Sequence, residues 1–278
     1  MPELPEVERG RKLAEAVTAG RRIERVWCDD DPLVFAGVDP ARWRRTLKGK
    51  RVVAARRWGK QLWLELDASP HPLFHFGMSG GFKTPSSTPL QLKSGPREDT
   101  SVWPPRFVKI RLHMDDGGEL AMTDGRRLGR ILLREDPEHE PPVAKLGFDP
   151  LLAMPTPKRF AELLRGRGGI LKSLLLDQTF AAGVGNWIAD EVLFQSGIDP
   201  RRRASSLTDD EVGRLRTRLR AIVRHAAEAN ADAFRYPRTW LFHRRWGKQE
   251  DARTTRGERI EHITIGGRTT AWVPDRQR

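Results

Sequence analysis

Apolar and polar residues alternate along the first half of the chain and recur every third or fourth position along the second. The stretch "KQLWLELD" puts Leu62, Leu64 and Leu66 on one face, the period of a half-buried strand. "FVKIRLHMDDGGELAM" sets Val108, Ile110, Leu112 and Met114 against Lys109, Arg111 and His113, and its "DDGG" predicts a hairpin turn. "RVVAARRWG" and "LFHFGMSG" read as further strands. Ahead of them a helix is predicted from Pro5 to about Ala19, ended by Gly20. Pro5 needs no backbone N–H in a first turn, and Glu6 and Glu8 suit the positive end of the helix dipole. Beyond "EDPEHEPPVAKLGFDPL" the period turns helical, with four helices predicted in "TPKRFAELLRG", "GGILKSLLLD", "GNWIADEVLFQSG" and "TDDEVGRLRTRLRAIVRHAAEAN". The last carries Thr208 and Glu211 at capping-box spacing. "ERIEHITIGGRTTAWV" predicts a two-stranded hairpin across Gly266-Gly267, and the Pro-, Ser- and Thr-rich residues 84–105 predict a long loop.

These elements describe an α+β protein. An N-terminal helix plus a β-sandwich domain occupies residues 1–138, a linker 139–155, a helical domain 156–235 and a small β tail 236–278. There are no internal repeats. At 278 residues and 38% hydrophobic content the chain can build two cores. Charge narrows its partners: 50 Lys and Arg stand against 37 Asp and Glu, a formal +13, and most of the bases are arginine. That balance favours a polyanion, nucleic acid first, over the alternative of a basic enzyme with acidic metabolites. The single cysteine, Cys28, excludes an internal disulfide and a cysteine-rich zinc site. The N-terminus has no apolar signal region and no apolar run approaches a membrane span of ~18 residues, so an intracellular, non-spanning protein is expected.

One stretch points to anion binding. In "DQTFAAGVGNWIADEVLFQSGIDP" a helix ends near Asp177, a glycine-bearing turn follows, and Asn186 suits the N-cap of the next helix. Free N–H groups there would hold a phosphate, although a plain cap explains the same residues.

This stretch, taken with "MPELPEVE" at the start, "HFGMSG" (75–80), "DGRRLGR" (124–130) and "LGFDPL" (146–151), resembles the formamidopyrimidine-DNA glycosylase (Fpg/Nei) family of DNA repair enzymes across the whole chain. The resemblance implies a helix-two-turn-helix domain and a bifunctional glycosylase and abasic-site lyase. Such an enzyme flips oxidised purines out of duplex DNA, excises them through a Schiff base on an N-terminal proline, and cuts the strand by β,δ-elimination. It implies that Met1 is removed and that Pro2 is the nucleophile. An α-amino group titrates near ~8, so part of it is neutral at pH 7. Glu3 would shuttle protons, Glu6 would support the site, and Lys60 would hold a phosphate and assist the chemistry. His75, Arg127 and Asn186 match phosphate contacts. Met78, Arg126 and Leu128 match the side chains that fill the gap left by a flipped base, with Leu128 where an aromatic wedge is usual.

The chain departs from the family in two places. Many members end in a four-cysteine zinc finger; Arg253, Arg256, Val273 and Arg276 stand at those positions here. No metal and no cofactor is therefore expected. The expectation is a zincless finger: the same hairpin held by packing, with Ile263, Ile265 and Trp272 as apolar contacts and Arg268 reaching DNA. The segment "ANADAFRYPRTW" is also short where members favouring 8-oxoguanine carry a longer covering loop, which shifts the expected preference toward formamidopyrimidines and hydantoins. The zincless tail and the "WPP" loop resemble plant and fungal members, leaving the nucleus (in a eukaryote) or the cytoplasm (in a bacterium) as the compartment. The expected partner is damaged double-stranded DNA, bound by a monomer with no membrane association. Rival readings are a non-catalytic damage-binding protein on the same scaffold, an oxidised-pyrimidine (Nei-like) glycosylase, and a general basic nucleic-acid-coating protein.

Overall fold

The first helix, α1 (Leu4–Thr18), starts at a reciprocal cap. Glu3 is its N-cap, and the side chains of Glu3 and Glu6 each accept from the other's backbone N–H. This is a capping box built from two acids, which the reading of Glu6 as a dipole partner alone did not anticipate. The structure is a computed structural model describing residues 1–86, 102–247 and 251–278. The loop expected over 84–105 lies largely outside the described residues. Contacts divide the chain into two units, Met1–Lys145 and Leu146–Arg278.

The first unit holds two antiparallel four-stranded sheets. One orders β1 (Ile23–Cys28), β6 (Val108–Met114), β7 (Glu119–Thr123) and β5 (Gly81–Lys83). The other orders β2 (Val52–Trp58), β3 (Gln61–Leu66), β4 (His71–His75) and β8 (Arg130–Arg134). Their inner faces share one core: Ile110, Leu112 and Met114 from one sheet meet Leu62, Leu64 and Phe74 from the other, with Val7 of α1 and Trp43 of α2 (Pro40–Leu47). The hairpin expected at "DDGG" forms, but its polar face is not solvated. Lys109 and His113 are both buried; Lys109 Nζ reaches Asp29 at 2.7 Å and Asp31 at 2.8 Å, and His113 lies 3.5 Å from Glu119. The predicted pattern omits α2, β1, β5 and β8, and the first two carry little of it. In α2 only Trp43 and Leu47 are buried, and in β1 only the two end residues are.

The second unit contains α3 (Pro157–Arg165), α4 (Leu171–Leu176), α5 (Asn186–Ser196) and α6 (Asp209–Glu228), followed by the hairpin β9 (Glu261–Ile265) and β10 (Arg268–Trp272). Thr208 and Glu211 close the predicted capping box on α6. Gly266 and Gly267, at φ 57° and 71°, make the positive-φ hairpin turn that β-carbons disfavour. Phe194 on α5 packs with Leu241, Ala252, Ile260, Ala271 and Val273 to fix the hairpin. Of the expected contacts Ile265 and Trp272 are buried, while Ile263 is only half-buried. Among the described residues no helix is long and apolar enough to cross a membrane.

Candidate active site

In the first unit the site residues sit on α1 and on three adjoining turns. Pro2, Glu3 and Glu6 are buried at the head of α1. Burial, reinforced by the charge of Glu3, pushes the Glu6 carboxyl up to about 7. It can therefore hold or release a proton near neutrality. One turn further along, Glu8 pairs with the buried Arg57 of β2 at 2.9 Å. The same guanidinium donates to the Gly59 carbonyl at 3.0 Å. The turn that presents Lys60 is thus tied to the helix that presents Glu3. Lys60 is half-buried, and its charge acts on His75 at the end of β4. Burial first, then Lys60 and Arg130, pushes His75 down to about 4, so the ring is neutral at pH 7. Its Nδ1 accepts the Gly77 N–H at 3.2 Å, which leaves Nε2–H as the ring's donor.

Met78 and Leu128 project from two turns packed backbone to backbone. They are 36% and 44% exposed. Gly77 makes the approach possible: at φ 61°, a β-carbon there would lie 2.5 Å from the Leu128 carbonyl carbon and the Gly129 nitrogen. The buried Asp124 braces the second turn. It accepts from Gly129 N–H at 2.6 Å and from Arg126 N–H at 3.2 Å, and Ser79 Oγ of the first turn donates to it at 3.3 Å. Arg126 is exposed beside Leu128. Arg127 takes φ 56° and clamps the buried Asp31 with Nε and Nη2, both at 2.9 Å. That guanidinium, with Lys109 on the same carboxylate, holds Asp31 far below the usual carboxylate range. The side chain of Arg127 is 53% exposed and stays available to an anion while its orientation is set from behind.

In the second unit the structure corrects the role of Asn186 in its helix. Gly185, not Asn186, is the N-cap of α5; Asn186 is the first helical residue. Its Nδ2 donates to the Thr269 carbonyl of β10 at 2.8 Å. Its buried Oδ1 has no partner. This cross-link places Asn186 beside Arg268, which is exposed at the hairpin tip. Sequence reasoning missed Asp31, Asp124, Lys172, Asp190 and Arg245. Only Asp124 had a local signal, the "DG" that begins a turn.

The chain matches three family models: the formamidopyrimidine-DNA glycosylase N-terminal domain over residues 1–131, its H2TH domain over 146–237, and the Fpg-like C-terminal domain over 240–274. It is 41% identical to a formamidopyrimidine-DNA glycosylase of Arabidopsis thaliana over 278 residues, all of this chain and 71% of that protein. It is 34% identical to the Gluconobacter oxydans enzyme of the same name, covering 84% of this chain and 81% of that one. Among solved structures it resembles the Lactococcus lactis enzyme bound non-covalently to DNA containing an abasic site, with TM-score 0.79, 25% identity and 99% of each chain covered. MutM in complex with DNA containing carbocyclic 8-oxo-G matches at TM-score 0.80 and 26% identity over the whole of both chains. With the architecture, the acid pair at the head of α1 and the two packed turns that carry Met78 and Leu128 already in place, these matches make the chain a member of the formamidopyrimidine-DNA glycosylase family, DNA glycosylases of base excision repair.

Proposed function

We propose that this glycosylase is also an abasic-site lyase and works through its N-terminal proline. The observation that carries the reading is the buried acid pair Glu3 and Glu6 beside Pro2, where burial pushes the Glu6 carboxyl up to about 7. While Met1 is attached, the Pro2 nitrogen is an amide without a free lone pair; removal of Met1 makes it a secondary amine. That nitrogen bonds to C1′ of the damaged nucleotide as the base departs with the bond pair, and then loses its own proton. Glu3 delivers a proton to the ring oxygen O4′ as the nitrogen lone pair opens the sugar to an iminium. The iminium acidifies C2′. Loss of a C2′ proton expels the 3′ phosphate, and a second elimination expels the 5′ phosphate. Lys60, His75, Arg127, Asn186 and Arg268 hold DNA phosphates. Met78, Arg126 and Leu128 occupy the gap left by the flipped nucleotide and offset lost stacking of a few kcal/mol. No step requires a metal.

Relatives of this chain have been crystallised with DNA containing carbocyclic 8-oxo-G and with DNA containing Fapy-dG. Here formamidopyrimidines and hydantoins are the preferred lesions. They stack poorly and cost less to extrude, and the short 230–240 segment offers little cover to distinguish 8-oxoguanine from guanine. Borohydride should trap the protein on abasic DNA through Pro2. Trapping that persists in Pro2→Gly at the wild-type rate, or that maps to Lys60, defeats the mechanism. Glu3→Gln should bind DNA but lose base excision. Single-turnover excision of hydantoin and formamidopyrimidine lesions should exceed that of 8-oxoguanine opposite cytosine by at least ~10-fold; equal rates defeat the lesion ranking alone.

A further inference from the structure

Buried charge in the second unit converges on one carboxylate. Asp190 of α5 is fully buried. Its Oδ1 accepts from Nζ of the equally buried Lys172 on α4. Its Oδ2 accepts from Arg245 Nε at 3.0 Å and Nη2 at 2.6 Å, and from the Ala271 N–H of β10 at 3.1 Å. Lys172 Nζ also donates to the Asn186 carbonyl at 3.0 Å, and the Arg245 carbonyl lies 3.2 Å from Nε2 of His262 in β9. Two helices, strand β10 and the segment preceding the hairpin therefore meet at Asp190, and β9 joins them through the Arg245 carbonyl.

A metal does not fit the place where the family carries one. Arg253, Arg256, Val273 and Arg276 stand at the four cysteine positions, and neither guanidinium nor alkyl groups ligate zinc. Val273 is buried in the apolar cluster, Arg253 donates to the Gly257 carbonyl, and Arg276 lies over the Phe194 ring. Among the described residues no group of three or more His, Cys, Asp or Glu could hold a metal ion. Apolar packing is non-directional and does not by itself set the angle of a short hairpin. Charge-assisted hydrogen bonds are directional, and a buried ion cluster is better explained by fixed geometry than by net stability.

We propose that Asp190, clamped by Lys172 and Arg245, is the positioning centre of the hairpin, orienting Arg268 and Asn186 for DNA in place of a metal. The inference rests on reading those two residues as phosphate contacts, and its test separates the two ideas. Asp190→Asn would leave two buried cations without a counter-charge and is expected not to fold. Arg245→Met keeps the Lys172–Asp190 pair and is the informative variant, with Arg245→Gln, which retains a donor, replacing it under the same criteria should it not fold.

By hydrogen exchange, amides 268–272 should exchange at least ~10-fold faster in Arg245→Met, while those of α6 stay unchanged. Dissociation constants for an abasic duplex should rise at least ~5-fold, with most of the loss recovered in Arg245→Lys. In a double-mutant cycle, Arg245→Met with Arg268→Ala should bind no worse than Arg268→Ala alone, within ~2-fold. Unchanged hairpin exchange overturns the proposal, and so does a double variant in which the two losses multiply. If Arg268→Ala by itself leaves affinity and its salt dependence unchanged, the reading of Arg268 as a phosphate contact falls, and hairpin exchange still decides the role of Asp190.

Discussion

Gly77→Ala tests whether the two wedge turns act as one unit. Its β-carbon would sit 2.5 Å from the Leu128 carbonyl carbon and the Gly129 nitrogen, where ordinary contact begins at 3.4 Å. The obstacle is backbone, so the Met78 and Leu128 turns must part by about 0.9 Å. Alanine at φ 61° adds about 1–2 kcal/mol of left-handed strain. With about 1–3 kcal/mol for the overpacking, the expected loss is about 2–5 kcal/mol. For a unit of this size that lowers Tm by about 5–15 °C. The wedge side chains move by nearly an ångström, and misplacement on that scale costs about 10²-fold in rate. Calorimetry with single-turnover lesion excision measures both effects. Gly81→Ala is the control, because a β-carbon there meets nothing within 4 Å. A Gly77→Ala protein that melts and excises like Gly81→Ala would refute the coupling of the two turns.

Burial pushes the Glu6 carboxyl up to about 7 in the folded protein, from an ordinary value of 4.5. The folded state therefore binds the extra proton, and stability is full below about 4.5 and declines as pH rises to about 7. Glu6→Gln keeps an acceptor for the Glu3 N–H and removes this decline, so denaturant midpoints should favour the variant increasingly from pH 5 to 8, by up to about 3 kcal/mol; parallel profiles would contradict this. Glu191, also raised to about 7 by burial, predicts the same sign in the second unit: Glu191→Gln should gain stability at pH 8 and little at pH 5. Asp31→Asn should cost about 3 kcal/mol at pH 7 by leaving Lys109 and Arg127 without their shared counter-charge. Because the Asp31 carboxyl is held below its usual range, its contribution is present above the unfolded pKa and lost in acid, so wild type and variant should converge as pH falls below about 4. DNA affinity of Asp31→Asn should also fall, since Arg127 loses the group that orients it; unchanged affinity would show that Arg127 does not contact phosphate.

Much of this protein was legible in order along the chain. The strand pair around "DDGG", the capped α6 and the glycine turn of the last hairpin depend on residues within a few positions of one another, and a local pattern expresses them. The resemblance added the roles proposed for Pro2, Glu3, Lys60, Met78, Arg126 and Leu128, because those expectations rest on short motifs rather than on periodicity. Tertiary structure alone decided the rest. Asp31 and Arg127 are 96 residues apart, and Asp190 and Ala271 are 81 apart. Nothing in the period around Lys109 or Lys172 distinguishes a buried cation from a solvated one. A buried charge is set by the partner that neutralises it, and in this chain that partner arrives only when distant segments fold together.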